Sequence, residues 1–154
     1  MSFEMMPDTA AILRRHVADN GPLPVTVIER ALSDRSGDRV TASVEPGKHG
    51  QASIVAGDQD ARRSVSVETV TLDEALADLG RIDLIKLDPE GAEFMALSGA
   101  REVLLRTGCV VFESNDRDAR IFALLHSAGF AVEQLDAFDF LARPLAGANP
   151  KAAQ

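Results

Sequence analysis

The sequence predicts an α/β domain built on a largely parallel sheet, with an antiparallel pair of strands at one edge. Short apolar segments alternate along the chain with segments of helical periodicity, which is typical of parallel strands joined by helices. Residues 82–87 and 109–113 are strongly apolar, as in strands that are buried on both faces of a sheet. Residues 130–135 and 138–142 form two further predicted strands with a tight connection, so we expect them to pair antiparallel.

The composition indicates one soluble domain. A length of 154 residues suits a single core, and the net charge of −8 argues against general binding to nucleic acid or to anionic membranes. The single cysteine, Cys109, excludes an internal disulfide, and its apolar surroundings predict a buried structural thiol. No signal peptide and no apolar run of membrane-spanning length is visible, so we expect a cytoplasmic location.

The first third of the chain predicts short strands around one helix. Residues 1–4 resemble the end of a strand, and Pro7 can begin a helix that ends at Asn20. Residues 25–29 are rich in β-branched side chains and predict a strand, which residues 31–34 would end.

The middle of the chain predicts three strands and then a helix. The strands cover residues 39–45, 52–55 and 64–70, and the last of them should be a half-buried antiparallel strand. Thr71 is followed three residues later by Glu74, a spacing typical of a capping box at a helix start. This helix would direct Leu72, Leu76 and Leu79 inward and end at Gly80.

The rest of the chain alternates helices with the apolar strands. Short helices should lie on either side of Gly99, and a longer helix should cover residues 116–127. Residues 144–154 are rich in Ala, Gly and Pro, and we expect a flexible tail there after a domain that spans residues 1–143.

Acidic residues follow the strand at 82–87 and form the best candidate site in the chain. Asp88, Glu90 and Glu93 come directly after its last residue, and ligands of open α/β sheets gather at the carboxyl ends of strands. His49 and Asp58 have no partners at metal-ligand spacing, so we predict no metal site.

Several motifs together resemble the FkbM-type methyltransferases. They are Thr71-Leu72-Asp73, the stretch IDLIKLDPEGAE at residues 82–93, Gly99-Ala100, and an apolar strand that closes on Glu113. Phe3-Glu4 and the ALSD stretch at residues 31–34 also match the family pattern, and residues 50–53 match it more loosely. The resemblance covers roughly residues 3–142, and Pro89 departs from it where a small aliphatic residue is usual.

The resemblance implies a Rossmann-like class I methyltransferase fold, with a mostly parallel sheet, helices on both faces and an antiparallel edge. It also implies S-adenosylmethionine as the cofactor, and a hydroxyl group of a sugar or another small molecule as the methyl acceptor. By the same resemblance Glu4 would bind the ribose, and Ala31, Leu32 and Ser33 would line the adenine pocket. The alternatives are a surface carboxylate at a helix start for Glu4 and a plain strand end for the other three residues.

Three carboxylates are the candidate catalytic residues. Asp88 would orient the amino group of the cofactor or the acceptor hydroxyl, and its alternative role is a helix N-cap. Glu90 would be a general base if burial raises its pKa, and otherwise an ordinary acidic residue in a first helical turn. Glu113 would face the same cleft as Asp88, or else lie at a solvated strand end.

The opening strand, the D-x-G-A-N-x-G turn and the first helix of the family pattern do not occur in the sequence, and its eleven glycines contain no G-x-G pair. We therefore expect a domain truncated at its N-terminus, without its first strand and helix. The strands at residues 1–4 and 82–87 would then close up, or another chain, as in a homo-oligomer, would cover the exposed sheet, or the fold would be marginal. A non-catalytic remnant or protein-interaction module is the alternative to an enzyme.

Overall fold

The computed structural model describes residues 1–44, 54 and 63–147. Within this part of the chain, strands and helices alternate as the sequence predicts. In chain order they are β1 (Ser2–Phe3), α1 (Pro7–Asp19), β2 (Val27–Ile28), β3 (Ala31–Leu32), β4 (Arg39–Val44), β5 (Arg63–Val70), α2 (Leu72–Ala75), β6 (Ile85–Leu87), α3 (Glu93–Ser98), α4 (Arg101–Leu104), β7 (Val110–Glu113), α5 (Ala119–Ser127), β8 (Phe130–Gln134) and β9 (Asp139–Pro144).

The described strands form three sheets with the orders β1-β2, β3-β5-β4 and β6-β7-β9-β8. The pairs β1-β2, β3-β5 and β6-β7 are parallel, whereas β4-β5, β7-β9 and β8-β9 are antiparallel. The predicted α/β class is confirmed, and so is the antiparallel edge formed by β8 and β9. The arrangement is nevertheless mixed rather than largely parallel, because half of the described pairings are antiparallel.

An aromatic cluster forms the centre of the larger core. The rings of Phe112 and Phe140 stack with a centroid separation of 5.4 Å, and Phe122 from α5 packs edge-on against both, at 5.8 and 5.0 Å. Phe112 and Phe140 are direct partners in the register of β7 and β9. Because these rings join β7, β9 and α5, they fix the carboxyl end of β7, where Glu113 lies.

A second, smaller core joins Met6, the N-cap residue of α1, to strands β3, β4 and β5. Met6, Ala31, Ala42 and Val67 are buried in it. The prediction that residues 31–34 merely end the strand at 25–29 is wrong, because β3 is a separate strand in which Ala31 is the register partner of Thr69 in β5. Because Ala31 is buried in this second core, β3 belongs to the sheet of β4 and β5 rather than to the sheet of β1 and β2.

Most predicted helix boundaries are confirmed. Helix α1 begins at Pro7 with Asn20 at its C-cap, and the Thr71 hydroxyl accepts the Glu74 N–H at 3.1 Å at the start of α2. Helix α2 is shorter than predicted, however, and its C-cap is Leu76 rather than Gly80. Helix α5 begins at Ala119, after its N-cap Asp118, and therefore later than the predicted start at residue 116.

Three predictions remain, and two of them concern segments that lie mostly outside the described residues. The strand predicted at residues 52–55 lies outside the described residues except for Ile54, and so does the tail after residue 147. The thiol of Cys109 is half-buried rather than buried, and it lies 3.4 Å from the carbonyl oxygen of Asp83.

The strands β1 and β6 do not close up, and a slot separates them. Its lining includes Phe3 on one side and Ile85 on the other. The prediction that β6 is buried on both faces is wrong, because Lys86 is exposed and the preceding Leu84 is 56% exposed. Leu79 was predicted to point inward but is 41% exposed, since α2 ends before it and no described element covers that side of the slot.

Candidate functional site

The candidate site begins at a tight turn that follows β6. The Ala92 N–H donates to the Pro89 carbonyl at 3.3 Å, and the two residues between them have positive φ angles, 48° at Glu90 and 95° at Gly91. Glycine adopts this left-handed conformation freely, whereas a glutamate does so at some cost in free energy. The turn therefore holds Glu90 in an uncommon backbone conformation two residues after Asp88.

Asp88 is paired with the side chain that lies two residues before it. The Lys86 ammonium is 2.9 Å from Asp88 Oδ2, and this hydrogen bond is the main cause that raises the pKa of Lys86. The alternative role of Asp88 as a helix N-cap is wrong, because Ala92 holds that position for α3. The tight turn at Glu90 and Gly91 separates Asp88 from α3, so the helix begins later in the chain than an N-cap role for Asp88 would require.

An acidic cleft of about 360 Å³ opens at the carboxyl ends of β6 and β7. Asp88, Glu90 and Glu113 all line it, so Glu113 faces the same cleft as Asp88. The two strands are parallel neighbours, with Leu87 opposite Phe112, and this register brings the residues that follow them together.

The pKa of Glu90, one of the carboxylates in the cleft, is raised above its ordinary value. Burial raises its pKa, and the negative charges of Asp88, Glu113 and Glu93 raise it further. The residue as a whole is exposed, so solvent moderates this shift. The direction of the shift is the one that a general base working near neutral pH requires.

Sequence reasoning missed the part of the cleft that follows β7. Asn115 Nδ2 donates to Glu113 Oε1 at 2.7 Å. The Arg120 side chain donates hydrogen bonds to both carboxylate oxygens of Asp118, at 2.6 to 3.0 Å, and these bonds lower the pKa of Asp118. The guanidinium of Arg120 also lies 4.4 Å from the ring centre of Phe94. The polar run directly after the strand that ends at Glu113 was the signal that could have identified this segment.

The predicted cofactor residues are only partly brought together. Leu32 and Asp88 line one cavity of about 480 Å³ at the end of the slot between β1 and β6. Ala31 and Ser33 are buried, at 2% and 6% exposure, and do not line that cavity. Glu4 lies just beyond β1, where its Oε1 accepts the Met6 N–H at 2.8 Å, as expected for a carboxylate at a helix start.

A close backbone approach connects this region to the end of α3. A β-carbon added at Gly99 would lie 2.2 Å from the carbonyl oxygen of Ser33 and 3.1 Å from Cβ of Thr71. The absence of a side chain at position 99 thus lets the end of α3 pack directly against the residue that follows β3.

The family model of the FkbM methyltransferase domain matches residues 2–137. The chain belongs to the FkbM methyltransferase family. The matched segment of this FkbM domain contains the acidic cleft, the turn after β6 and every predicted cofactor residue. Neither the curated proteins nor the solved structures contain a match to the chain.

Two further findings concern the described residues of the FkbM domain. Among its described residues, no group of three or more His, Cys, Asp or Glu side chains is arranged to hold a metal ion. Within the same residues, no helix combines the length and the apolar character needed to cross a membrane.

Proposed function

We propose that this FkbM domain is an S-adenosylmethionine-dependent O-methyltransferase whose acceptor is a hydroxyl group on a small molecule of the sugar type. The family supports methyl transfer in general. The observation that supports this specific proposal is the position of Asp88, which lines both the cavity next to Leu32 and the acidic cleft. A donor on one side of Asp88 and an acceptor on the other would meet at this residue.

The cavity beside Leu32 has features that suit the cofactor. Leu32 offers an apolar surface for a purine ring, and the Asp88 carboxylate offers an acceptor for an ammonium group. Glu4 lies just beyond β1 and keeps a second carboxylate oxygen that would accept from a ribose hydroxyl, whereas Ala31 and Ser33 are buried. When bound, S-adenosylmethionine supplies a methyl group that is carried on a positively charged sulfur.

The acidic cleft has features that suit a hydroxylated acceptor. Carboxylate oxygens accept hydrogen bonds from hydroxyl groups, and Asp88 and Glu113 could orient a polyol in this way. Glu90 would take the proton from the acceptor hydroxyl, because burial and its acidic neighbours raise its affinity for a proton. A strongly anionic acceptor would be repelled by the same carboxylates.

The second candidate function is a protein-interaction module that no longer binds the cofactor. The observation that favours it is the burial of Ala31 and Ser33, which leaves Leu32 and Asp88 as the predicted cofactor residues that line the cavity. Such a module would keep the scaffold and the acidic cleft without methyl transfer.

Transfer of a labelled methyl group separates the two candidates. The purified chain is incubated with S-adenosylmethionine labelled in the methyl group and with a panel of neutral mono- and disaccharides. We expect label in at least one sugar, with loss of transfer in Glu90→Gln and retention in Glu133→Gln, which changes an exposed glutamate of β8. Absence of transfer by folded chain would favour the interaction module.

A further inference from the structure

The cavity of about 480 Å³ beside Leu32 contains one ion pair in surroundings that are mostly apolar. Lys86 and Asp88 supply its charged side chains, and the other side chains that line it are apolar except for the Ser2 hydroxyl. Among the described residues that line this cavity, Lys86 is therefore the one with a positively charged side chain. A ligand with a negatively charged group would form its ion pair with this lysine.

The geometry of β6 directs both charged groups into the same cavity. Lys86 lies within β6 and Asp88 directly follows the strand, and residues two apart on a strand point to the same face of a sheet. The Lys86 ammonium is 2.9 Å from Asp88 Oδ2. A lysine ammonium has three donors and a carboxylate has two acceptor oxygens, so the pair keeps donors and an acceptor for a ligand.

Lys86 keeps its positive charge at neutral pH and is accessible to a ligand. The hydrogen bond to Asp88 is the main cause that raises the pKa of Lys86, and the negative charges of Asp139 and Glu113 raise it further, while burial acts in the opposite direction. The side chains of Lys86 and Asp88 are 62% and 42% exposed. An ion pair this exposed contributes little to stability, so removal of the lysine should leave the fold intact.

The adjacent ammonium and carboxylate match the two charges of an α-amino acid. In an α-amino acid both charged groups are attached to one carbon atom, so they also lie side by side. The ammonium of such a ligand can donate to Asp88 while its carboxylate accepts from Lys86, and both contacts are charge-assisted hydrogen bonds. S-adenosylmethionine carries an amino-acid end of this kind, which is joined through sulfur to adenosine.

We propose that Lys86 binds the α-carboxylate of S-adenosylmethionine and, together with Asp88, fixes the orientation of the cofactor in this cavity. The inference rests on the proposed function and adds a residue that determines which ligands the cavity accepts. The amino-acid end would lie at Asp88, which also lines the acidic cleft, and the adenosine would extend towards Leu32. Because a short chain joins the amino-acid carbon to the sulfur, the methyl group would stay near the border between cavity and cleft.

The alternative role of Lys86 is to neutralise the charge of Asp88 without touching the cofactor. In that case the surrounding carboxylates, which include Glu113 and Asp139, would favour whichever ligand carries the greater positive charge. Direct binding of a carboxylate by Lys86 favours the opposite order. The two roles therefore predict opposite preferences between a ligand with the carboxylate and one without it.

The test compares S-adenosylhomocysteine with its decarboxylated analogue, which keeps the amino group, by isothermal titration into the full chain. We expect wild type to bind S-adenosylhomocysteine at least about tenfold more tightly than the analogue. Lys86→Met should abolish this preference by weakening the binding of S-adenosylhomocysteine, and Lys86→Arg should retain it. Arg143→Met is the matched control with the wild-type preference, because it removes an equally exposed cation that is paired with Glu133 outside the cavity.

Two kinds of result would overturn the role of Lys86, and they are distinguishable. If S-adenosylhomocysteine binds but wild type does not prefer it, or if the preference survives Lys86→Met, the role of Lys86 is wrong and the proposed function stands. If folded wild type binds neither ligand, both are wrong. Circular dichroism identifies the folded chain, and the comparison of the two ligands in wild type does not depend on the folding of any variant.

Discussion

The carbonyl oxygen of Ser33 lies so close to Gly99 that a β-carbon at position 99 would be 2.2 Å away from it. The contact is with backbone, which cannot move aside as a flexible side chain can. This contact joins Ser33, which follows β3, to the end of α3. The sheet that contains β3 is thereby packed against the helix that follows the turn at Glu90 and Gly91.

Gly99→Ala should therefore destabilise the domain by about 3 kcal/mol, the upper part of the range for overpacking. Urea unfolding followed by circular dichroism measures this change. Gly80→Ala is the matched control, since a β-carbon at Gly80 would meet nothing within 4 Å, and its effect should be below about 0.5 kcal/mol. Equal effects of the two substitutions would contradict the close approach.

Asp73 should stabilise the start of α4 from a different helix. Its Oδ1 accepts the N–H groups of Glu102 and Val103 at 3.0 and 2.8 Å, while Ala100 at the N-cap position offers no side-chain acceptor. Asp73→Ala should cost about 1–2 kcal/mol of unfolding free energy, because two donors lose their partner. Asp73→Asn keeps an acceptor oxygen and should cost clearly less in the same unfolding measurement.

The pair of Asp118 and Arg120 should make stability depend on pH in the acid range. Hydrogen bonds from Arg120 lower the pKa of Asp118 in the folded protein, so this carboxylate stabilises the fold above the ordinary aspartate pKa of about 3.9. The stabilisation is lost as pH falls through the lower folded pKa. The difference in unfolding free energy between wild type and Asp118→Asn should shrink below about pH 4, and a difference independent of pH would contradict this.

Glu90 should titrate above the ordinary range for glutamate. Burial and the charges of Asp88, Glu113 and Glu93 raise its pKa in the folded protein. The folded protein therefore holds this proton more tightly than the unfolded chain does. Glu90 favours folding at a pH below its pKa in the unfolded chain, and this contribution is lost as the pH rises through its pKa in the folded protein. Carbon NMR titration of the Glu90 carboxyl should show the raised pKa.

Glu113→Gln supplies the specific check on the cause of that shift. Removal of one neighbouring negative charge should lower the pKa of Glu90, whereas Glu133→Gln on β8 should leave it unchanged. An unchanged Glu90 pKa in Glu113→Gln would show that the two carboxylates do not share the cleft.

Local signals in the sequence predicted much of the fold. Pro7, Thr71 and the apolar runs act through near neighbours in the chain, so the helix starts and strands that depend on them were found. The cleft was also predictable, because Asp88 and Glu113 each follow a strand of one parallel pair.

The errors came from relations that near neighbours do not determine. Whether Leu79 is covered depends on what fills the slot, and the assignment of Ala31 to a new sheet depends on the core formed with β5. The N-cap role expected of Asp88 failed because Glu90 and Gly91 adopt left-handed conformations, which delay the start of α3. A glutamate in that conformation is uncommon and gives little signal in a sequence.

Isothermal titration of S-adenosylhomocysteine into the purified chain tests the central claim most directly, because the proposed function requires a cofactor site that includes Asp88. We expect one molecule to bind per folded chain, with affinity at least about tenfold weaker in Asp88→Asn and unchanged in Glu133→Gln. A folded chain that gives no binding heat, or that binds equally well after Asp88→Asn, would contradict the methyltransferase site described for this domain.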